Sequence, residues 1–397
     1  MKRIVLFIVL IISSTHVSSQ SYFPPNSSAD WETIDPASLD YCQNNIDSLY
    51  NFLEANNTKA FIMLKDGKIV LENYFNGHSD TSNWYWASAG KTLVSFLVGI
   101  AQEEGKLNIN DATSAYLSEA WTNIDSSQEA IITIKNQLNM TSGLDDEVDD
   151  PYCTLDSCLI YLADAGTRWA YHNGPYTLLR NVLENATEQG INNYAYQKVI
   201  NPIRMNGLFV YEGYNNLFLS TARSMARFGL LMLNNGQWNQ NEILSDSIYF
   251  NDMISPSQDF NESYGYLCWL NGKPSFMLPQ SQYVFDGGLI TNAPNDMYSA
   301  MGKNGQYINV IPSQKIVWIR MGEMPQEELV PTNFNNDIWG YINELVCESS
   351  AVEEVNSKNK KLLRITDVLG KPSELISNST LFFIYDDGSI EKKIILD

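Results

Sequence analysis

Ser88-Ala89-Gly90-Lys91 places a hydroxyl and a primary amine three residues apart, at the head of a largely apolar run that continues to Ile100. Residues three apart on a helix share a face, so a helical run here lets the Lys91 amine reach the Ser88 oxygen. Apolar surroundings disfavour the charged form of an amine, and the positive end of a helix pushes the same way. An amine without its proton can accept one from a neighbouring hydroxyl, which is one way to activate a nucleophile. The rival reading is a serine that caps the helix beside a lysine that snorkels to solvent. The same spacing recurs at Ser357-Lys358-Asn359-Lys360, in a charged stretch. Context separates the two: Trp84-Tyr85-Trp86-Ala87 leads into Ser88, and Leu93, Val94, Phe96, Leu97, Val98 and Ile100 follow. A helix apolar on nearly every side is buried, and a lysine near its start then needs a reason.

The base opposite such a serine is not expected to be histidine. The chain has only His16, His78 and His172, and the first lies in a leader segment. His78 sits in the turn-forming run Asn76-Gly77-His78-Ser79-Asp80, which reads as a solvated loop, and His172 neighbours a better candidate in Tyr171. A Ser-His-Asp arrangement is therefore disfavoured. Cys42, Cys153, Cys158, Cys268 and Cys347 do not follow zinc-ligand spacing, and no metal or organic cofactor is expected. Cys153 and Cys158 are close enough to close a small loop, and Cys42 and Cys347 can pair if their helices meet, which leaves Cys268 over. Sequence alone does not settle that connectivity.

The elements that must position these groups follow from periodicity and turn chemistry. Asp40 to Ala55 has helical periodicity, through Ile46, Leu49, Tyr50 and Leu53. Lys59 to Leu64 and Lys68 to Phe75 read as strands around the Asp66-Gly67 hairpin turn. The helix that begins at Ser88 ends near Gly105, and Arg223 to Asn234 is amphipathic. Met297 to Met301, Tyr307 to Ile311 and Lys315 to Arg320 are strands, and Phe334 to Cys347 is a closing helix. The expected fold is α/β (α+β): an antiparallel sheet flanked by terminal helices, with an all-helical region inserted over about 110–285. A site would lie in the crevice between the sheet and the insertion.

Lys2-Arg3 and the apolar run Ile4 to Ile12 read as a secretory signal over 1–19, with the main domain over 20–350. No later segment has the ~18–20 apolar residues of a transmembrane helix. The net charge of −21 over 397 residues, with no basic cluster, argues against nucleic acid. A charged, weakly apolar linker over 351–361 leads to a short module of alternating strands, 362–397.

Together these residues resemble the serine β-lactamase and penicillin-binding protein superfamily, in particular its class C-like branch, which includes esterases and the 6-aminohexanoate-dimer hydrolases. The likeness runs from about Ala60 to Gly322. Ser88-Ala89-Gly90-Lys91 fills the first family motif, and Leu138 to Leu144 and Ser220 to Leu230 resemble branch signatures. Tyr171-His172-Asn173 fills the second motif. The resemblance implies that Tyr171 is an acid/base beside Lys91 and that Asn173 orients the substrate or Lys91. At the third motif the chain departs: Ser299-Ala300-Met301-Gly302-Lys303 stands where β-lactamases carry Lys-Thr-Gly. Gly302 permits close backbone approach, and the Lys303 amide would join that of Ser88 as an oxyanion hole, its side chain being solvated. Ala300 and Met301 cannot bind a substrate carboxylate as lysine and threonine would, which weighs against β-lactam turnover.

The module from Leu362 to Asp397 is similar to the C-terminal sorting domain of the Bacteroidetes type IX secretion system, through Asp367 to Lys371 and Phe383 to Lys393. That resemblance implies a partner in the secretion machinery and a destination at the outer cell surface or beyond it. The function expected is a secreted serine hydrolase that cleaves a small-molecule ester, amide or peptide through an acyl-enzyme on Ser88. The alternatives are a D-alanyl-D-alanine peptidase or β-lactamase, and a catalytically silent binding protein on the same fold.

Overall fold

The computed structural model describes residues 21–25, 30–324, 328–347, 361–367, 370–377, 379–386 and 388–395. The chain divides into two compact units, Met1–Cys347 and Glu348–Asp397. The leader expected at 1–19 and nearly all of the linker expected at 351–361 lie outside the described residues.

In the first unit, Ile46, Leu49 and Leu53 form the buried face of helix α1, Gln43–Ala55. Strands β1, Thr58–Lys65, and β2, Lys68–Tyr74, follow. Asp66 and Gly67 join them with φ of 50° and 85°. Positive φ at both central residues is the turn geometry whose twist matches a two-residue hairpin. The short strand β3, Trp84–Tyr85, then leads into helix α2, Gly90–Glu103, in which every residue from Gly90 to Ala101 is buried.

The inserted region is mostly short helices and loops, including α3, Leu179–Thr187. The sequence reading of an all-helical insertion misses a sheet: strands β4, Leu208–Glu212, and β5, Asn215–Ser220, pair with β3 in the order β3-β5-β4. The period-two burial of β5 makes it a strand, with Asn216, Phe218 and Ser220 buried and the residues between them half-buried. Helix α4, Ala222–Leu233, follows, and then strand β6, Trp269–Leu270.

Strands β7, Tyr298–Gly302, β8, Gln306–Ile311, and β9, Ile316–Gly322, complete the main sheet. Its order is β2-β1-β9-β8-β7-β6, antiparallel throughout, with Ile62 opposite Ile319 and Met63 opposite Trp318. Strands β7, β8 and β9 are buried along their whole length because helices cover both faces. On one face Gly229 lets α4 lie close: a Cβ there would fall 2.5 Å from Val317 and 2.9 Å from Ile308. Trp318 points to the other face, where its ring lies 5.9 Å from Trp339 of helix α5, Thr332–Asn343. Phe52 of α1 stacks on Tyr341 of α5 at 4.5 Å, and a disulfide joins Cys42 to Cys347 across the same pair of helices. Cys153 pairs with Cys158, and Cys268 is free and buried.

One sequence expectation is corrected here. His78 is not a solvated loop histidine: its ring sits edge-on to Trp84 at 5.8 Å, and its Nε2 is buried without a partner. The second unit is an antiparallel three-stranded sheet of β10, Leu362–Thr366, β11, Ser379–Tyr385, and β12, Ile390–Ile395, with Leu381 and Phe383 buried. Among the described residues, no helix is long and apolar enough to cross a membrane.

Candidate active site

The turn that carries Ser88 is held from behind. The Trp86 amide donates to the Phe218 carbonyl at 2.8 Å, and its indole nitrogen donates to Ser220 Oγ at 2.8 Å. Ala87 follows with a φ of 46°, in the left-handed region that a residue with a Cβ rarely adopts. Such a conformation costs on the order of 1–3 kcal/mol and persists only where the surroundings enforce it. Ser88 then lies in a short 3-10 turn, Ala87–Ala89, that runs directly into α2. The turn aims the Ser88 hydroxyl at the first turn of α2, where Lys91 Nζ donates to Ser88 Oγ at 3.0 Å.

Lys91 is 5 % exposed, with its ammonium nitrogen 4.1 Å from the Tyr176 ring centre and 5.2 Å from that of Tyr171. Burial brings its pKa down from 10.5 to about 7. The snorkelling alternative is thereby excluded: this lysine stays inside. Tyr171 is buried as well, stacked on Trp269 at 5.8 Å and edge-on to Tyr264 at 6.2 Å. Burial pushes its hydroxyl far above the ordinary value, and a side-chain interaction with Ser88 pulls it part of the way back. The hydrogen bond that Ser88 Oγ makes is the one from Lys91.

Gly302 ends β7 against the Ser88 turn. A Cβ at this position would fall 2.7 Å from the Trp86 carbonyl oxygen and 2.8 Å from the amide nitrogens of Ser88 and Ala89. Only glycine allows that approach. Lys303 comes next, with an exposed side chain, and the chain turns through Asn304 and Gly305 at φ of 62° and 72°. Asn304 Nδ2 donates to the Tyr85 hydroxyl at 2.7 Å, which ties this turn to β3. Asn173 is buried at the start of the short helix Asn173–Thr177. Among the described residues its carboxamide makes no hydrogen bond to Ser88 or Lys91, and Asn173 does not line the cleft onto which that pair opens.

A cleft of about 890 Å³ opens onto Ser88 and Lys91. Tyr85, Tyr152 and Tyr176 line it, as does the β4–β5 hairpin. Val210 pairs with Leu217 and Tyr85 with Leu219, so these side chains share one face of the small sheet and form an apolar wall. Glu212 and Asn215 pair at the hairpin tip and make that end polar. Lys303 lies between this cleft and a second hollow of about 450 Å³ that includes Leu278, Gln280 and Glu328. Sequence reasoning missed Tyr152, Tyr176 and the hairpin wall. The alternation in β5 is the signal that could have revealed the wall, whereas nothing in local spacing marks the two tyrosines. Among the described residues, no group of three or more His, Cys, Asp and Glu is placed to hold a metal ion.

Comparison with known proteins agrees with this architecture. The family model described as Beta-lactamase matches residues 57–326. Protein flp of Staphylococcus aureus is 26% identical over 167 residues, 37% of this chain and 33% of that protein, so the match spans about a third of the relative's length. A solved structure from Bacillus anthracis, provisionally assigned as a 6-aminohexanoate-dimer hydrolase, superposes with a TM-score of 0.60 at 20% identity, covering 82% of this chain and 91% of that one. A penicillin-binding protein homologue from Caulobacter crescentus gives 0.60 at 11% identity, covering 79% and 99%. At such identities the two structures attest the fold, while the family model covers most of the chain. The chain belongs to the Beta-lactamase family.

Proposed function

We propose that this protein is a serine hydrolase that opens an ester or amide bond through an acyl-enzyme on Ser88. The observation that carries the reading is the hydrogen bond from buried Lys91 to Ser88 Oγ at 3.0 Å, with the lysine about half deprotonated at pH 7. In the first step Lys91 Nζ takes the Ser88 proton while Oγ bonds to the carbonyl carbon. The oxyanion is received by the backbone N–H groups of Ser88 and Lys303. Each such donor is worth ~2.7–4 kcal/mol. The C–O or C–N bond then breaks, and the leaving group takes a proton from Tyr171, which is restored from Lys91. Water repeats the steps in reverse order and releases the acid. The division of labour follows from the two groups: Lys91 is the base, and Tyr171 stays a neutral phenol that relays a proton. Asn173 would orient the substrate or Lys91 and is not assigned a proton.

Substrate preference is drawn from the cleft. Val210, Leu217 and Leu219 favour an apolar acyl group, and no cation replaces the third-motif lysine at Ala300. Short-chain and aryl esters are therefore the expected test substrates, ahead of penicillins or D-alanyl peptides. A fluorophosphonate should label Ser88, and Ser88→Ala should abolish ester turnover. Retention of wild-type turnover by that variant would eliminate the reading. Labelling by a fluorescent penicillin would instead favour the peptidase or β-lactamase alternative. We further propose that the chain is exported, with 1–19 as leader and 362–397 engaging secretion machinery. Cell fractionation, with and without the last 36 residues, tests this.

A further inference from the structure

Arg320 is wholly buried in β9, and all of its guanidinium donors are used. Nε donates to Thr58 Oγ1 at 2.9 Å; Nη1 donates to the carbonyls of Asn304 and Gly305 at 2.7 and 2.9 Å. Nη2 donates to the carbonyls of Asn56 and Glu323, each at 2.8 Å. Each acceptor is a neutral oxygen; no carboxylate is among them. Among the described residues Arg320 has no carboxylate partner, only the Phe334 ring 4.7 Å from its guanidinium; a buried cation so placed is expensive, and for stability alone an apolar residue of similar size often serves as well. Burial lowers the Arg320 pKa to about 10, so it remains a cation at neutral pH.

The acceptors show where this charge is aimed. Gln306, also fully buried, donates through Nε2 to the Lys303 carbonyl at 3.2 Å and to the Gly322 carbonyl at 2.6 Å, and accepts from the Gly322 amide at 3.0 Å. Gln306 and Arg320 together therefore hold the carbonyls of Lys303, Asn304 and Gly305, the whole turn that follows Gly302. A Cβ at Gly305 would fall 2.6 Å from Arg320 Nη1. In a trans peptide, C=O and N–H point in opposite directions. The held carbonyls orient the N–H groups of Asn304, Gly305 and Gln306; the Lys303 N–H lies in the preceding Gly302–Lys303 peptide, so the clamp reaches it by fixing the carbonyl end of the same residue.

We propose that Arg320 and Gln306 are positioning residues for the oxyanion site. They clamp the Lys303–Gly305 turn so that the Lys303 amide stays in place beside the Ser88 amide, and the charge of Arg320 favours the negative oxygen that forms there. This rests on the serine hydrolase reading above. Neither residue touches the reacting atoms, and both act only through the turn.

The test uses the full-length protein and two variants, Gln306→Glu and Arg320→Lys. Gln306→Glu keeps size but sets a carboxylate oxygen against two carbonyls, and Arg320→Lys keeps charge but cannot reach five acceptors. Active sites are counted by end-point fluorophosphonate titration, so misfolded protein drops out. Per titrated site, kcat for an aryl ester should fall about ten- to a hundred-fold, as expected for a small misplacement near the chemistry. KM should stay within about threefold. Affinity for an aryl boronic acid, which adds to Ser88 as a tetrahedral anion, should fall by the same factor as kcat/KM, and affinity for the product acid should not change. Wild-type kcat per titrated site in either variant would overturn the proposal. So would a loss of boronate and product binding in equal measure. If Ser88→Ala is inactive while Gln306→Glu is unaffected, only this inference fails; if Ser88→Ala is active, the hydrolase reading fails first.

Discussion

Replacing Lys91 by methionine should make the protein inactive and, at pH 7, more stable. A fall in pKa from 10.5 to about 7 means that keeping this ammonium buried costs about 5 kcal/mol relative to leaving it in water. The Tyr176 ring 4.1 Å away opposes this through a cation–π attraction of ~0.5–2 kcal/mol, so desolvation wins. The unfolded chain binds the proton up to its ordinary value and the native chain only up to about 7, so the native state gains stability as pH rises between those values. The penalty is full at and below pH 7 and has nearly vanished by about pH 10.5. Methionine fills a similar volume without charge and forfeits the hydrogen bond to Ser88, worth ~1 kcal/mol. The variant should therefore be more stable than wild type by about 3 kcal/mol at pH 7 and no more stable at pH 10. Urea unfolding at the two pH values measures the difference, and the acid limb of kcat/KM for the wild type, expected near pH 7, checks the same group from the kinetic side. A Lys91→Met protein less stable by a constant amount at both pH values, or a wild-type profile flat from pH 5 to 9, would refute the reasoning.

Three further outcomes follow from the same physics. Tyr171→Phe should lower kcat by ~10²–10⁴-fold while the fold survives on its stack with Trp269; an active variant would show that the phenol is only a packed ring. The wild type should show no alkaline limb from Tyr171 at moderately alkaline pH, because burial keeps that hydroxyl protonated. His172 is 2 % exposed, and burial takes its pKa down to about 4 against the opposing pull of Asp146, Asp145 and the Leu144 backbone. The unfolded chain takes up this proton near 6.5 and the native chain only near 4, so stability is lost as pH falls between them. His172→Gln should remove about 2–3 kcal/mol of the loss between pH 7 and pH 4.5, read as a smaller shift in urea midpoint; an unchanged shift would show that other groups carry the acid sensitivity.

Local patterns in the sequence reached far into this molecule. The apolar recurrence at Ile46, Leu49 and Leu53 sets the inner face of α1, Asp66-Gly67 closes the first hairpin, and the long apolar run after Ser88 becomes a buried helix. Each is decided within a turn or two of chain, by side-chain periodicity and by the few residues that accept positive φ. The pairing of Ser88 with Lys91 belongs to the same class, because three residues on a helix is a fixed distance. The cleft is different. Its wall comes from Val210, Leu217 and Leu219, its floor from Tyr176, and its far edge from the turn at Lys303.

The chain by itself determined which groups could react and the helix, strand and turn segments that carry them, since these depend on neighbours a few positions away. Tertiary structure alone decided that the lysine's pKa falls to about 7, that Tyr171 is buried against Trp269 and Tyr264, and that Arg320 gathers acceptors from Asn56, Thr58, Asn304, Gly305 and Glu323. Desolvation and long-range hydrogen bonding depend on what else fills the surrounding space, and that is set by packing between segments up to hundreds of residues apart.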